Sequence, residues 1–174
     1  MNSMNNNVEE LVGDLKLKLN VLHIDFPMKN QVAIDLEEKE IHSALSYVKA
    51  IGWKQLTLLT CVDWIEENTF QLVYILFNWE KGVTLQVRAK INREKPDFRT
   101  ITNIFPGAQY YERDVHEFFG VNFEGNPMSY KPLFLELWKD IPPLRKDFDT
   151  QKFSDENFPK RDYEGDFRPK MGGN

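Results

Sequence analysis

Three consecutive strand-like segments in the middle of the chain restrict most strongly what this sequence can fold into. Segments 55–64 and 70–78 are apolar on both faces, which is typical of central strands that are covered on both sides. In the third segment, 83–91, apolar residues alternate with polar ones, so one face belongs to a core and the other to water. Polar turns at 66–68 and 78–82 separate the segments. The pattern predicts a β-sheet as the centre of the fold.

Helices and a hairpin are predicted around this sheet. Residues 22–26 and 32–36 alternate in polarity on either side of a turn, which predicts a hairpin. Apolar residues at helical spacing predict helices over 41–51 and 108–119, each followed by a glycine. Asp35 and Glu38 have the spacing of a capping box for the first of these helices. A further short helix is indicated by the spacing of Phe98, Ile101 and Ile104.

The two ends of the chain differ from its middle. Residues 1–7 are predicted to be disordered, and a helix is expected from Val8 onwards. Residues 8–148 form the predicted α+β domain, with a small mixed or antiparallel sheet and flanking helices. Segment 149–174 is predicted to be an extended tail that orders against a partner, because aromatic side chains recur among charged residues. The predicted tail anchors are Phe153, Phe158, Tyr163 and Phe167.

Composition excludes several classes of function. The formal net charge of −5 gives no basic field for nucleic acid. No apolar run approaches the twenty or so residues of a membrane span, and the N-terminus shows no secretory signal pattern. Cys61 is the single cysteine, which excludes an internal disulfide and an iron–sulfur cluster held by four thiolates of this chain. We therefore expect a protein of the cytoplasmic side.

The sequence motifs do not provide a complete set of catalytic residues. Segment 116–120, HEFFG, is a near miss to the zinc-protease helix, because Gly120 stands where the second histidine ligand is needed. A small hydrolase that uses His116 and Glu117 is one alternative, but a third catalytic partner is missing. Cys61 is interpreted as a buried structural thiol. No phosphate-binding glycine loop is present.

Two segments carry a resemblance to a known family. Residues 111–127 read YERDVHEFFGVNFEGNP and residues 143–148 read PLRKDF. The first resembles the signature E-R-E-x-x-D-x-F-G-I-x-F-x-G-H-P of the thirty-kilodalton subunit of respiratory complex I, and the second resembles that family's P-L-R-K-D-[FY]. The candidate interface residues from these signatures are Glu112, Arg113, Asp114, Phe119, Gly120, Phe123, Gly125, Pro127, Pro143, Leu144, Arg145, Lys146, Asp147 and Phe148.

Three positions depart from the first signature. Asp114 stands in place of Glu, Glu117 in place of Asp, and Asn126 in place of His. Residues 128–141 also differ from the usual respiratory sequence. These departures favour the homologous subunit of energy-converting, membrane-bound [NiFe]-hydrogenase complexes over a NADH or ferredoxin:quinone dehydrogenase, which stays the alternative.

The resemblance implies a non-catalytic subunit that binds no cofactor itself. Its expected partners are a large nickel–iron-hydrogenase-like subunit and a small iron–sulfur subunit. Iron–sulfur clusters and a nickel–iron centre would then lie in those partners, and membrane subunits would tie the complex to the cytoplasmic face of the cell membrane. A protein-binding adaptor outside redox metabolism is a further alternative.

The chemistry of the matched residues suits an interface. The planar guanidinium of Arg145 is expected to pair with a carboxylate across the interface. Glu112 and Arg113 are placed on the polar face of the predicted helix, with His116 and Glu117 one turn further on. The sequence leaves open whether Glu112 and Arg113 pair locally or with a partner.

Overall fold

The computed structural model describes residues 2–158. Helices and strands account for most of the region up to residue 124, and an irregular segment then leads to a last short helix. In chain order the elements are α1 (Asn2–Lys18), β1 (His23–Asp25), β2 (Gln31–Leu36), α2 (Ile41–Ala50), β3 (Gln55–Trp64), β4 (Thr69–Asn78), β5 (Val83–Asn92), β6 (Asp97–Arg99), α3 (Ala108–Phe119), β7 (Asn122–Glu124) and α4 (Thr150–Asn157).

A mixed five-stranded sheet in the order β1-β2-β5-β4-β3 forms the centre of the fold, which confirms the predicted α+β class. Strands β2 and β5 pair in parallel, and the other neighbours are antiparallel. The hairpin of β1 and β2 is confirmed. The prediction that 55–64 is a central strand is wrong, because β3 lies at the edge of the sheet. Strands β6 and β7 form a separate parallel pair.

The core lies between one face of the sheet and the helices. Strand β5 shows why, since its alternating residues Leu85 and Val87 are fully buried. Tyr74 of β4 and Leu15 of α1 are also fully buried. The aliphatic side chains among them each contribute roughly 1.5–3 kcal/mol when they leave water. The opposite face carries polar groups of β5, as the sequence predicts.

Two local predictions are wrong because pairing between distant segments decides the structure. Asp35 does not cap α2 but lies in β2, where its carboxylate accepts two hydrogen bonds from Arg88 at 2.8 and 2.9 Å. Helix α2 instead follows a 3-10 turn, Glu38–Glu40, without a side-chain cap. Phe98 lies in β6 rather than in a helix, because this strand pairs with β7.

The chain ends also differ from expectation. The sequence predicts disorder over residues 1–7 and a helix from Val8. In the structure, helix α1 begins at Asn2, so residues 2–7 are helical. Segment 150–157 is helical rather than extended, since the carboxylate of Asp149 accepts a hydrogen bond from the Lys152 amide at 2.9 Å and caps α4. Within residues 2–158, no helix has the length and apolar character needed to cross a bilayer.

Candidate functional site

Helix α3 contains the first part of the first signature segment, residues 111–119, and Gly120 ends the helix as the sequence predicts. Gly120 has φ = +82°, and its amide donates to the His116 carbonyl at 2.8 Å. A Cβ at this position would lie 3.2 Å from Pro142 Cγ. The Leu144 amide donates to the Phe118 carbonyl at 3.1 Å, so residues 142–144 run close past the helix end. The glycine therefore serves both the left-handed turn and the close approach of this later segment.

Glu112 does not lie on a polar helix face but is fully buried. Its carboxylate accepts hydrogen bonds from Thr100 Oγ1 at 2.6 Å, the Ile101 amide at 2.8 Å and Asn126 Nδ2 at 2.8 Å. Burial raises the pKa of Glu112, and these three hydrogen bonds oppose that rise. Glu112 therefore ties α3 to the segment after β6 and to the turn after β7, and it does not pair with His116.

Asn126, which replaces the histidine of the family signature, completes this buried network. Its amide Nδ2 also donates to the Gln109 carbonyl at 3.3 Å, and its Oδ1 accepts from the Met128 amide at 3.0 Å. The preceding Gly125 has φ = +90°, which allows the sharp turn. The asparagine thus fixes where the irregular segment after residue 127 begins.

Arg113 and Glu117 hold the next part of this segment, which we call the docking loop (residues 130–144). Arg113 donates hydrogen bonds to two consecutive carbonyls, those of Lys131 and Pro132. The carboxylate of Glu117 accepts from the Leu133, Phe134 and Leu135 amides at 2.9, 3.0 and 2.6 Å. Both charged side chains therefore bind loop backbone rather than each other. A loop without regular secondary structure is fixed in this way by two helix residues.

The docking loop exposes large apolar side chains although it is fixed in place. Leu137 is 88% exposed and Phe134 is 73% exposed. Further exposed apolar residues of the loop are Tyr130, Leu133, Ile141 and Leu144. Large apolar side chains left exposed in one ordered loop are typical of interaction sites in soluble proteins.

The second signature segment folds onto the sheet through a network of charged groups. Arg93 donates to both carboxylate oxygens of Asp63 at 2.7 and 3.0 Å and pairs with Asp147 at 2.8 Å. Arg145 binds Asp147 through two hydrogen bonds of 3.0 Å. The Lys146 amide donates to Asp63 at 2.8 Å. The expectation that Arg145 faces a carboxylate of a partner is corrected, because its carboxylate partner is Asp147 of the same chain.

This network changes the acidity of its members. The hydrogen bonds from Arg145 lower the pKa of Asp147 to about 2, against the effect of burial, and Arg93 adds to the lowering. Burial acts to raise the pKa of Asp63, but Arg93 and the Lys146 amide outweigh burial and the pKa is lowered. Both carboxylates are therefore ionised at neutral pH, as the ion pairs with arginine require.

The remaining signature residues divide between the core and the surface. Phe119 and Phe123 are buried, and Asp114 has a buried Oδ1 without a partner among residues 2–158. Burial raises the pKa of Asp114, and the charge of Glu117 adds to this. Among the others, Pro143 and Phe148 are half-buried, whereas Pro127, Leu144 and Lys146 are exposed.

Of the predicted tail anchors, two lie in the described part of the chain. The ring of Phe153 packs 4.8 Å from Trp138 and 5.5 Å from Phe148, and Phe158 is mostly exposed beside Phe153. Tyr163 and Phe167 lie outside the described residues. The first part of the tail therefore contacts its own domain.

The hydrolase alternative finds no support in the geometry. His116 Nδ1 lies 2.8 Å from the Val121 carbonyl, and Glu117 is engaged by three backbone amides. Cys61 is a buried free thiol as predicted, and burial raises its pKa. A single group of potential metal ligands occurs within residues 2–158: His23, Asp25 and Asp35. The guanidinium of Arg88 binds both Asp25 and Asp35. The two carboxylates are therefore already paired with a positive charge of the same chain.

Sequence reasoning missed several residues that build this site. Asp63 and Arg93 lie thirty positions apart and carry no local signal of their pairing. The apolar residues Phe134 and Leu137 were visible in a proline-rich segment without helical or strand periodicity, which is the signal that could have marked an exposed loop.

Fold and site together define a small α+β domain that carries a fixed apolar loop. A family model described as "Respiratory-chain NADH dehydrogenase, 30 Kd subunit" matches residues 34–154, which is more than half of the chain. The chain therefore belongs to this family, as its two signature segments indicate.

Two relatives support the assignment. The C-type subunit of the F(420)H(2) dehydrogenase of Methanosarcina mazei is 26% identical over 161 residues, covering 88% of this chain and 92% of the relative. The C/D-type subunit of the NADH-quinone oxidoreductase of Acinetobacter baumannii (strain AYE) is 33% identical over 89 residues, covering 51% of this chain. The match spans only 15% of that longer relative.

Two solved structures are similar to this chain. One, from the membrane-bound sulfane sulfur reductase, an archaeal respiratory membrane complex, is 30% identical with a TM-score of 0.78, covering 89% of this chain and 96% of the solved chain. The other, the trypsin-resistant fragment of Nqo5, is 24% identical with a TM-score of 0.60, covering 70% of this chain and 98% of the fragment. The second likeness shows the fold alone.

Proposed function

We propose that this chain is a structural and assembly subunit in the peripheral arm of a membrane-bound, ion-pumping redox complex, where the docking loop binds the large subunit. The proposal rests on one observation, which is that the Glu117 carboxylate accepts hydrogen bonds from three consecutive loop amides. Ordering a loop before it binds lowers the entropic cost of association. A loop that is ordered in advance and still exposes Phe134 and Leu137 has the properties of a docking element.

The names of the relatives point to the same kind of assembly. One solved relative belongs to a respiratory membrane complex, and the relative from Acinetobacter baumannii carries the double designation C/D. Because the match occupies 15% of that relative, the counterpart of this chain is joined to a much longer polypeptide. We propose that the D-type large subunit is the partner of this chain, and that a small iron–sulfur subunit and membrane subunits complete the complex at the cytoplasmic face.

Within this class we favour the energy-converting [NiFe]-hydrogenase type, with a NADH or ferredoxin:quinone dehydrogenase as the second candidate. The departures at Asp114, Glu117 and Asn126 support this choice. The adjoining genes provide the test, through the sequence of a large subunit encoded there. Two pairs of cysteines for nickel and iron in its sequence are expected for the hydrogenase type. Their absence would favour the dehydrogenase.

We further propose that electrons move entirely through partner subunits. Cys61 is buried, and Arg88 already binds both carboxylates of the group formed by His23, Asp25 and Asp35. Elemental analysis of the purified chain should therefore find no stoichiometric iron, nickel or zinc. A value near one metal ion per chain would contradict this part of the proposal.

Docking is tested by affinity purification from solubilised membranes. The tagged chain should retain the large subunit, and Leu137→Asp should release it because a charge replaces an exposed apolar contact. Leu17→Asp is the matched control, since Leu17 on α1 is 76% exposed. Equal recovery with both variants would show that the docking loop is not the interface.

A further inference from the structure

We infer that a cavity beside the docking loop receives one tyrosine or tryptophan side chain of the large subunit. This inference rests on the proposed function and names the partner chemistry of the same site. The cavity has a volume of about 300 Å³ and lies between the end of α3 and the loop. Its main walls are His116, Tyr130, Pro132, Leu135, Trp138 and Pro142.

The cavity walls are flat and fixed. Trp138 Nε1 donates to the Ile141 carbonyl at 2.9 Å, and the indole packs against Phe148 and Phe153. The ring of Tyr130 meets His116 edge to face, with centroids 5.0 Å apart. Rings and prolines held in this way suit contact with a planar aromatic group.

His116 lines the cavity, and its second ring nitrogen can discriminate between aromatic groups. Because the Val121 carbonyl can only accept, His116 Nδ1 carries the proton, and Nε2 of the neutral ring is an acceptor. No residue of the described chain donates to this Nε2. The hydroxyls of Ser129 and Tyr130 already donate to Asn126 and Asn122. The cavity therefore favours an aromatic ring that bears an N–H or O–H donor, which tyrosine and tryptophan have and phenylalanine lacks.

The surroundings indicate a protein side chain rather than a free small molecule. Phe134 and Leu137 are exposed, and each is the sequence neighbour of a residue that lines the cavity, Leu135 or Trp138. A small molecule inside the cavity would leave both in water, whereas a large subunit that inserts one aromatic anchor covers them at the same time. Buried aromatic anchors in pockets dominate the affinity of many protein interfaces.

The chemistry of the cavity is tested on the full isolated chain by NMR titration with p-cresol, indole and toluene. All three should shift signals of Gly120 and the Trp138 indole, and p-cresol and indole should bind about fivefold more tightly than toluene, which corresponds to one hydrogen bond. His116→Phe should retain toluene binding and remove the preference. Equal affinities in the unchanged protein, or shifts elsewhere, would overturn the inference.

A second measurement identifies the occupant in the complex. A benzophenone amino acid in place of Lys131, at the cavity rim, should crosslink to the large subunit, whereas the same group at Leu17 should not. Replacing the tyrosine or tryptophan nearest the crosslink by alanine should weaken assembly by roughly tenfold or more. A crosslinked segment without either residue would overturn the inference. If no large subunit is recovered at all, the proposed function fails, while the titration still reports on the cavity.

Discussion

Arg93 is the residue on which the position of the second signature segment depends. Its side chain is 9% exposed and binds Asp63, which is 2% exposed, and also Asp147. Arg93→Met should destabilise the protein by about 3–5 kcal/mol, because a buried carboxylate loses its charge partner. Lys95→Met is the control, since Lys95 is 85% exposed and should change stability by less than about 0.5 kcal/mol. Urea unfolding of both variants gives the comparison, and equal stabilities would contradict a structural role for the ion pair.

Asp147 should make stability depend on pH in the acid range. Hydrogen bonds from Arg145 lower its pKa in the folded protein to about 2, below the ordinary 3.8. A lowered pKa gives stability that is present above pH 3.8 and is lost as the pH falls towards 2. Because Asp147 is 36% exposed, screening limits this contribution to about 1 kcal/mol.

The variant Asp147→Asn should therefore lose about 1 kcal/mol at pH 7 and show a flatter stability profile between pH 2 and 4. Asp155→Asn, on the exposed surface of α4, should leave the profile unchanged. Thermal unfolding across that pH range measures both. A steep acid profile that persists in Asp147→Asn would assign the effect to other carboxylates.

At the scale of single residues, the sequence indicated which charged side chains take part in the site better than where they lie in the fold. The signatures identified Glu112 and Arg145 as important charged residues. The burial of Glu112, however, depends on residues 100–101 and 126, which pack on α3 and donate hydrogen bonds to its carboxylate. Asp35 had correct local spacing for a cap, yet its pairing with Arg88 depends on two strands that meet fifty-three positions apart. Hydrogen bonds between distant segments leave no local pattern in the sequence.

Glu117 determines the order of a whole structural element, the docking loop. Glu117→Ala removes the acceptor for the Leu133, Phe134 and Leu135 amides. These amides should lose protection from hydrogen exchange by about tenfold, while global stability falls by only about 1 kcal/mol because water replaces the carboxylate. Glu136→Ala is the control, since Glu136 is an exposed glutamate of the same loop. Unchanged protection in Glu117→Ala would show that the loop is fixed by other contacts.

Elements with strong internal periodicity were predictable, and elements fixed by tertiary contacts were not. The bounds of α3 agree with the sequence pattern and those of β5 differ from it by one residue, because 3.6-residue and two-residue periods are local properties. The edge position of β3 was not predictable, since it depends on which strand pairs with β5. Helix α4 was predicted as an extended tail because its single half-buried aromatic, Phe153, gives no apolar stripe.

At the scale of the whole molecule, the first part of the C-terminal region, residues 150–158, packs on its own domain through Phe153. Truncation after Asp149 removes α4 and the packing of Phe153 on Trp138 and Phe148. A half-buried aromatic contributes about 1–2 kcal/mol, so the melting temperature should fall by roughly 2–8 °C while the sheet stays folded. Assembly with the large subunit should also fall, because Trp138 then loses one of the rings that fix the cavity wall.

Truncation after Phe158 separates the two parts, since it keeps α4 and removes only 159–174, including Tyr163 and Phe167. If these two residues are partner anchors as the aromatic spacing predicts, this truncation should leave the melting temperature unchanged and still weaken assembly, by roughly 1–3 kcal/mol for each anchor before the cost of ordering the segment. Calorimetry of the isolated chain and quantitative recovery of the complex give the two readouts. Normal assembly after this truncation would contradict the anchor role of both residues and leave α4 and the docking loop as the interface. A lowered melting temperature would instead assign 159–174 to the fold of this domain.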